Sequence, residues 1–310
     1  MSRFPQGSLT RLGFVRIIDL PQGIEIGMVA KMRPSVIDMN QILPEHDLLW
    51  LVLDSLRFDV AEREWAIGGT PNLRRLIGES GWQRRHAPGN FTFPSHQSFF
   101  AGFLPTPSDP GVGRERLFAA RFAGSESTGP GTKVFDEDNV IAGLRGIGFH
   151  TICIGGVGFF NKKTALSRVL PNYFDESHWR EEFGVTCRDS PRNQCAFAAE
   201  KIAALPSQQR LLLFVNFSAV HQPNSFYSRD SGIDDMESHA AALRAIDREI
   251  PVLMSAFADR PRPVFHVTCS DHGTAYGESG FTGHRVSVSE VWDVPYAHGA
   301  VEKEDWKGAS

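Results

Sequence analysis

The stretch LLWLVLD, residues 48–54, is an unbroken apolar run that ends on an acid. A run this short with no helical period reads as a strand covered on both faces. Three more runs share its character: FHTICIGG at 149–156, LLLFVNFS at 211–218 and VFHVTCS at 264–270. Helical patterns lie between them. TPNLRRLIGESG (70–81) has Pro71 as a first helical residue and Gly81 just past its end. DEDNVIAGLRGIG (136–148) and SPRNQCAFAAEKIAAL (190–205) have acidic or Ser/Pro starts, and MESHAAALRAIDREI (236–250) is apolar at helical spacing as far as Pro251. Strands alternating with helices predict an α/β fold, a doubly wound and mostly parallel sheet with helices on both faces. Residues 1–45, broken by Pro5, Pro21, Pro34 and Pro44, read as an irregular N-terminal segment, and Pro105 to Pro130 as a long surface loop. With no internal repeat and no linker, residues 1–310 read as a single domain.

Composition narrows the function. Hydrophobic residues make up 41% of the 310 and charged residues 22%, a balance that supplies a core and excludes wholesale disorder. Lys+Arg 32 against Asp+Glu 36 leaves a net charge of −4 and no basic footprint for nucleic acid. No window approaches the length of a membrane span. The N-terminal MSRFPQGSLTRLGFVRIIDL lacks the apolar stretch of a signal peptide. Cys153, Cys187, Cys195 and Cys269 form no CxxC pair and read as reduced thiols. These features together lead to the expectation of a cytoplasmic protein. Nothing in the sequence bears on oligomeric state.

In such sheets ligands collect beyond the carboxyl ends of the strands. LLWLVLD ends there in Asp54, and VFHVTCS runs into Asp271 and His272. Parallel pairing would bring both ends to one edge, where carboxylate oxygens and an imidazole suit Zn²⁺ or Mn²⁺ better than Ca²⁺. The plainer alternative is a capping Asp beside a surface His. A third segment is NFTFPSHQSFFAGF, residues 90–103, in which Thr92 stands just before a helix that Pro94 can open. A hydroxyl there meets free N–H groups and the positive end of a helix dipole, a setting for a phosphate or sulfate ester. A helix-capping role for Thr92 fits the same pattern. A nucleophilic Thr needs its pKa lowered, which a metal on Asp54, Asp271 and His272 would do.

LVLDSLRFD (51–59), TPNLRRL (70–76), TFPSHQSFFAGF (92–103) and SDHGTAYGESGFTGHR (270–285), in that order and spacing, resemble the sulfatase-like branch of the alkaline phosphatase superfamily. GLRGIGFHTICIGG (143–156) and LLLFVNFSAVHQPN (211–224) match further segments of it. The resemblance implies an alkaline phosphatase-like fold. It also implies a divalent metal, zinc or manganese, held by Asp54, Asp271 and His272, with Thr92 coordinating it as the nucleophile. The TFP setting of Thr92 looks like that of the nucleotide pyrophosphatase/phosphodiesterase relatives. His221 and His284 match positions that hold a second metal in two-metal relatives. In one-metal relatives, such as the phosphoglycerol and phosphoethanolamine transferases, histidines there help bind substrate. The two-metal pattern wants an Asp four residues before the first of these histidines, where Phe217 stands. One tight metal site is therefore expected, with the second left open.

Two departures disfavour sulfatase chemistry. The C/S-x-P-x-R motif of sulfatases has Thr92 in place of its Cys or Ser and His96 in place of its Arg. The Lys and His that follow the next strand in sulfatases are Gly156 and Gly158 here. Phosphoester chemistry survives these losses, because a metal-activated Thr needs no modification. The expected function is a metal-dependent hydrolase or transferase of phosphoesters, of phosphodiesterase or phosphatase type, acting on a small anionic ester. His96 enters as a candidate substrate contact beside Thr92. The alternatives are sulfate or phosphonate ester hydrolysis on the same site, or a metal-stabilised binding protein without turnover.

Overall fold

The four apolar runs become neighbouring strands of one sheet. The computed structural model describes residues 37–102, 118–120, 133–135, 139–228, 232–301 and 304. Its central strand is Asp47–Leu53. Across the sheet the order is Gln83–His86, Asp293–Val301, Val264–Cys269, Asp47–Leu53, Arg210–Phe217, Phe149–Ile154 and Glu176–His178. The strands from Val264–Cys269 to Glu176–His178 pair in parallel, so the expected doubly wound, mostly parallel α/β sheet is what forms. Asp293–Val301 pairs antiparallel on both sides, with Gln83–His86 as the edge beyond it, an extension that the sequence patterns did not announce.

Successive residues of the central strand face opposite layers. Leu49, Leu51 and Leu53 join a core cluster with Leu73, Leu76, Ala198, Ile202, Leu243, Ile246 and Phe257 from three covering helices. Trp50 points the other way, with ring centroids 5.7 Å from Phe100 and 5.8 Å from Phe214. Phe100 belongs to the helix Thr92–Ala101, so that helix covers the second face. The register then sets the active edge. Val52 pairs with Cys269 and Leu53 with Phe217, so the chain leaves the sheet at Asp54, Ser218 and Ser270 on one side.

Two readings of the chain need correction. Met39–Glu45, within the segment expected to be irregular, is a helix that contains Pro44; residues 1–36 of that segment, and of the proposed single domain, lie outside the described residues. Described residues from Met39 onward belong to one compact unit. The loop expected from Pro105 to Pro130 also lies outside them, except for a short strand at Phe118–Ala120. The helix expected to end at Pro251 runs on from Met236 to Ala258. Pro251 has no N–H, which strips the Asp247 carbonyl of its helical donor. Asn72 Nδ2 takes the donor's place, at 3.0 Å from that carbonyl and 3.1 Å from Asp247 Oδ2. Leu73 N–H donates to Asp247 Oδ1 at 2.7 Å, so Asp247 also serves the first turn of the helix Pro71–Ile77.

Asn72→Ala should therefore lower stability by about 1–3 kcal/mol, because it leaves buried acceptors short of a donor. A urea midpoint that falls at unchanged slope would show this. Pro251→Ala returns an N–H to the Asp247 carbonyl, so the double variant should lose less than the sum of the singles.

Candidate active site

Asp54 follows the central strand, and Asp271 and His272 follow its parallel neighbour Val264–Cys269. All three are fully buried, and their ligand atoms lie within 4.8 Å of one another. The sequence expectation placed these residues on one sheet edge, and they are brought together there. Each acid is held by neighbours. Asp54 Oδ2 accepts from Asn216 Nδ2 at 3.0 Å and Asp54 Oδ1 from Ser55 Oγ at 3.0 Å. Asp271 Oδ1 accepts from the Ser55 and His272 N–H groups at 3.2 and 3.0 Å. Asp271 Oδ2 is buried and has no hydrogen-bond partner. His272 Nδ1 donates to the Gly273 carbonyl at 2.8 Å, which leaves the Nε2 lone pair free, 3.5 Å from Asp271 Oδ2.

An unpartnered buried carboxylate oxygen, a second buried carboxylate and an imidazole lone pair aimed at both are a donor set suited to a divalent cation such as Zn²⁺. The electrostatics agree. Burial and the charge of Asp54 push the Asp271 carboxyl well above the usual carboxylate range. Burial opposes ionisation of Asp54 too, but His221, His272 and the Asn216 hydrogen bond together hold it below its ordinary value. Two carboxylates this close in a buried site cannot both ionise cheaply without a cation between them.

Thr92 opens the helix Thr92–Ala101, but it does not cap it. The N-cap position is Phe91, without any side-chain cap. Thr92 Oγ1 instead lies 3.4 Å from Asp54 Oδ2 and 3.5 Å from His272 Nε2. Pro94 stands in the first helical turn, where its missing N–H would have had no helical acceptor. Ser95 fixes this helix to the metal-ligand loop, its Oγ 2.7 Å from the Asp271 carbonyl. Close packing of Gly89 helps: a Cβ there would come within 2.9 Å of the Ser95 backbone nitrogen.

His221 and His284 flank the same place. The His284 ring centroid is 4.7 Å from His272 and 5.1 Å from His221. Burial, with His272 and His221 beside it, brings the His284 pKa down to about 4. Thr92, His221 and His284 line one end of a cleft of about 420 Å³. His96 does not line it. It is fully buried behind the ligand set, its Nδ1 donating to the Thr92 carbonyl at 2.8 Å, and Phe99, Phe100, Phe160 and Phe214 surround it edge-on. Burial lowers its pKa to about 4. The expected substrate contact is thus corrected to a neutral ring that braces the Thr92 turn.

Sequence reasoning passed over Asn216 as a mere neighbour of Phe217. Its Nδ2 holds Asp54, while its Oδ1 accepts from the Gly156 and Val157 N–H groups at 3.3 and 3.2 Å. One side chain so couples a metal-ligand candidate to the cleft loop. A lone amide inside the apolar run LLLFVNFS was the available signal, since a buried polar group demands partners. Arg57, three residues after Asp54, is taken up by a structural ion pair, bonding Asp59 at 2.7 Å and Glu278 at 2.6 Å.

With a chelator present, Asp271→Asn should raise the melting temperature, because it removes a buried like-charge pair. Excess Zn²⁺ should then stabilise the wild type, by about 2.7 kcal/mol at a hundredfold excess over Kd, and leave the variant unmoved. Scanning calorimetry of both proteins under both conditions checks the pair of outcomes.

No protein-family model and no curated protein matches the chain. Solved structures do. The soluble domain of lipooligosaccharide phosphoethanolamine transferase A from Neisseria meningitidis superposes with a TM-score of 0.59 at 13% identity, over 84% of this chain and 77% of that one. The C-terminal periplasmic domain of EptC from Escherichia coli, in complex with Zn, gives 0.55 at 15% identity, over 86% and 75%. A protein in the alkaline phosphatase superfamily from Vibrio parahaemolyticus gives 0.51 at 15% identity, over 83% and 60%. The expected cytoplasmic location is corrected by these matches, because the Escherichia coli neighbour is a periplasmic domain. Among the described residues no helix is long and apolar enough to cross a membrane. That expectation rested on missing export and span signals, which a domain of this fold need not carry within itself. The resemblance read from the motifs holds at the level of architecture: the chain has the alkaline phosphatase-like fold.

Proposed function

We propose that this protein is a metal-dependent enzyme acting on phosphoesters, with Thr92 as its nucleophile. The observation that carries the reading is the freedom of the Thr92 hydroxyl: it caps nothing and sits within 3.5 Å of two candidate metal ligands at the end of a cleft. Asp54, Asp271 and His272 would hold the ion. A divalent cation there supplies charge that favours the Thr92 alkoxide and offsets negative charge on the transferring group. Thr92 Oγ1 attacks phosphorus, a bond forms between them, and the ester oxygen leaves with the electron pair of the broken P–O bond. A cleft imidazole, His221 or His284, takes the proton of Thr92 Oγ1 as it attacks and passes it to the departing oxygen. Attack by water or an acceptor alcohol on phospho-Thr92 then frees the hydroxyl, so hydrolysis and transfer share one site.

Two observations favour phosphoesters over sulfate esters. Gly156, the place of a sulfatase lysine, has no room for a side chain: a Cβ would lie 2.5 Å from the Asn216 carbonyl and 2.8 Å from Ser218. Thr92 also needs no conversion to a formylglycine. The metal count we propose is one. Phe217, where a two-metal site would want its acid, is fully buried in the hydrophobic core cluster. The Zn complex of a structural neighbour supports zinc as the ion.

Elemental analysis of protein purified without chelator should give one divalent ion per chain; two at full occupancy would restore a two-metal mechanism. Thr92→Ala should cut turnover of bis(p-nitrophenyl) phosphate by several orders of magnitude at equal metal loading. Thr92→Ser should keep part of the rate, since it retains the hydroxyl and loses only the methyl that restricts its rotamer. Near-normal turnover of the Ala variant would remove Thr92 from the chemistry.

A further inference from the structure

The cleft beyond Thr92 has a mixed lining. Val157, Phe159, Leu166 and Val185 make an apolar wall. Phe159 extends this into an aromatic shelf, with ring centroids 5.6 Å from Phe93 and 6.1 Å from Phe91. Beside that shelf stands Arg285, the one fixed cation among the described lining residues, which include no carboxylate. Its guanidinium lies over the Phe91 ring, 4.8 Å from the centroid, and forms no ion pair among the described residues. An exposed arginine free of acids is ordinarily mobile, but here the backbone is pinned. The Arg285 N–H donates to the Asn90 carbonyl at 2.8 Å, and its φ is +70°, a conformation rare for a side chain of this size. That bond ties Arg285 to the loop two residues before Thr92. The stacking ties its head to the residue next to Thr92. Backbone strain of this kind persists where the surroundings enforce it, and it collects at ligand clamps.

We infer that Arg285 is the specificity-determining cation of this cleft, and that the substrate class is a phosphodiester bearing an uncharged, largely apolar ester group. The inference rests on the reading of Thr92 as nucleophile at a phosphoester. The guanidinium, a planar donor fork, pairs with a non-bridging phosphoryl oxygen while keeping its stacked face on Phe91. A diester carries a single negative charge there, which one arginine matches. A monoester dianion brings a second charge, for which the described lining holds no second fixed cation. Gly158 keeps the floor open: a Cβ at that position meets nothing closer than Asn161 Nδ2 at 3.9 Å, so the ester group has space beside Phe159.

The test uses metal-loaded full-length protein and two readouts. Diphenyl phosphate binding is measured by titration calorimetry, and turnover is compared on bis(p-nitrophenyl) phosphate and p-nitrophenyl phosphate. Arg285→Ala should weaken diphenyl phosphate binding on the order of tenfold or more and raise KM for the diester more than it lowers kcat. Arg285→Lys, which keeps the charge and the backbone strain but loses the planar fork, should recover part of the binding; a purely structural role for Arg285 would give no such rescue. Leu166→Asp should weaken diphenyl phosphate while inorganic phosphate binding is little changed. Wild-type affinity in Arg285→Ala, or a higher kcat/KM for the monoester than for the diester, would overturn the inference. Diphenyl phosphate bound through Arg285 without turnover of either ester would instead refute the enzymatic reading and leave the recognition role standing, so the two failures are separable.

Discussion

Asp54 and Asp271 leave adjacent parallel strands at the same edge and meet in a site sealed from solvent, their oxygens within 4.8 Å. In a medium of low dielectric that repulsion is large, and burial adds to it by disfavouring both charges. Among the described residues no lysine or arginine relieves it: the contacts to the two acids are amide, hydroxyl, backbone N–H and imidazole groups. Such a site is poor in stability and rich in affinity for a divalent ion. The same feature that costs the empty fold free energy makes the position chemically useful.

Around this pair the polar groups are arranged to leave one direction open. Asn216 and Ser55 satisfy Asp54, and backbone N–H groups satisfy one oxygen of Asp271. The Gly273 carbonyl fixes the tautomer of His272 so that its lone pair faces the acids. What stays without a hydrogen-bond partner is Asp271 Oδ2, with His272 Nε2 and the Thr92 hydroxyl beside it. Ser95 and Asn216 then lock the Thr92 helix and the cleft loop to the loops that carry Asp271 and Asp54. Preorganisation of this kind spares the site reorganisation when charge develops.

The aromatic layer on the second face contributes to the same end. Phe100, Phe160 and Phe214 enclose His96 and keep its ring neutral, so its one N–H serves the Thr92 carbonyl. The Thr92 turn is therefore held from behind by a group that carries no competing charge. From the front, Arg285 stacks on Phe91. Thr92 sits between a buried neutral histidine and an exposed cation.

The strand runs, the parallel sheet and the acids at the strand ends were legible in the sequence, because an apolar run with no helical period admits few structures and the parallel pairing of such runs aligns their ends. Asp54, Asp271, His272 and Thr92 could be picked out for that reason and by the resemblance of their segments to known motifs. The antiparallel strand Asp293–Val301 was hidden because Pro295 and Gly299 break its pattern, and the helix past Pro251 because the donor replacing the lost N–H is Asn72, far away in sequence. Whether Thr92 caps its helix also lay beyond sequence, since a capping and a non-capping hydroxyl use the same residue at the same helix end. Only packing decided it, by placing Asp54 and His272 against the hydroxyl. His96 was misread for a related reason: it lies one turn beyond Thr92 on the same helix face, and where along that face the cleft gives way to core depends on elements distant in sequence.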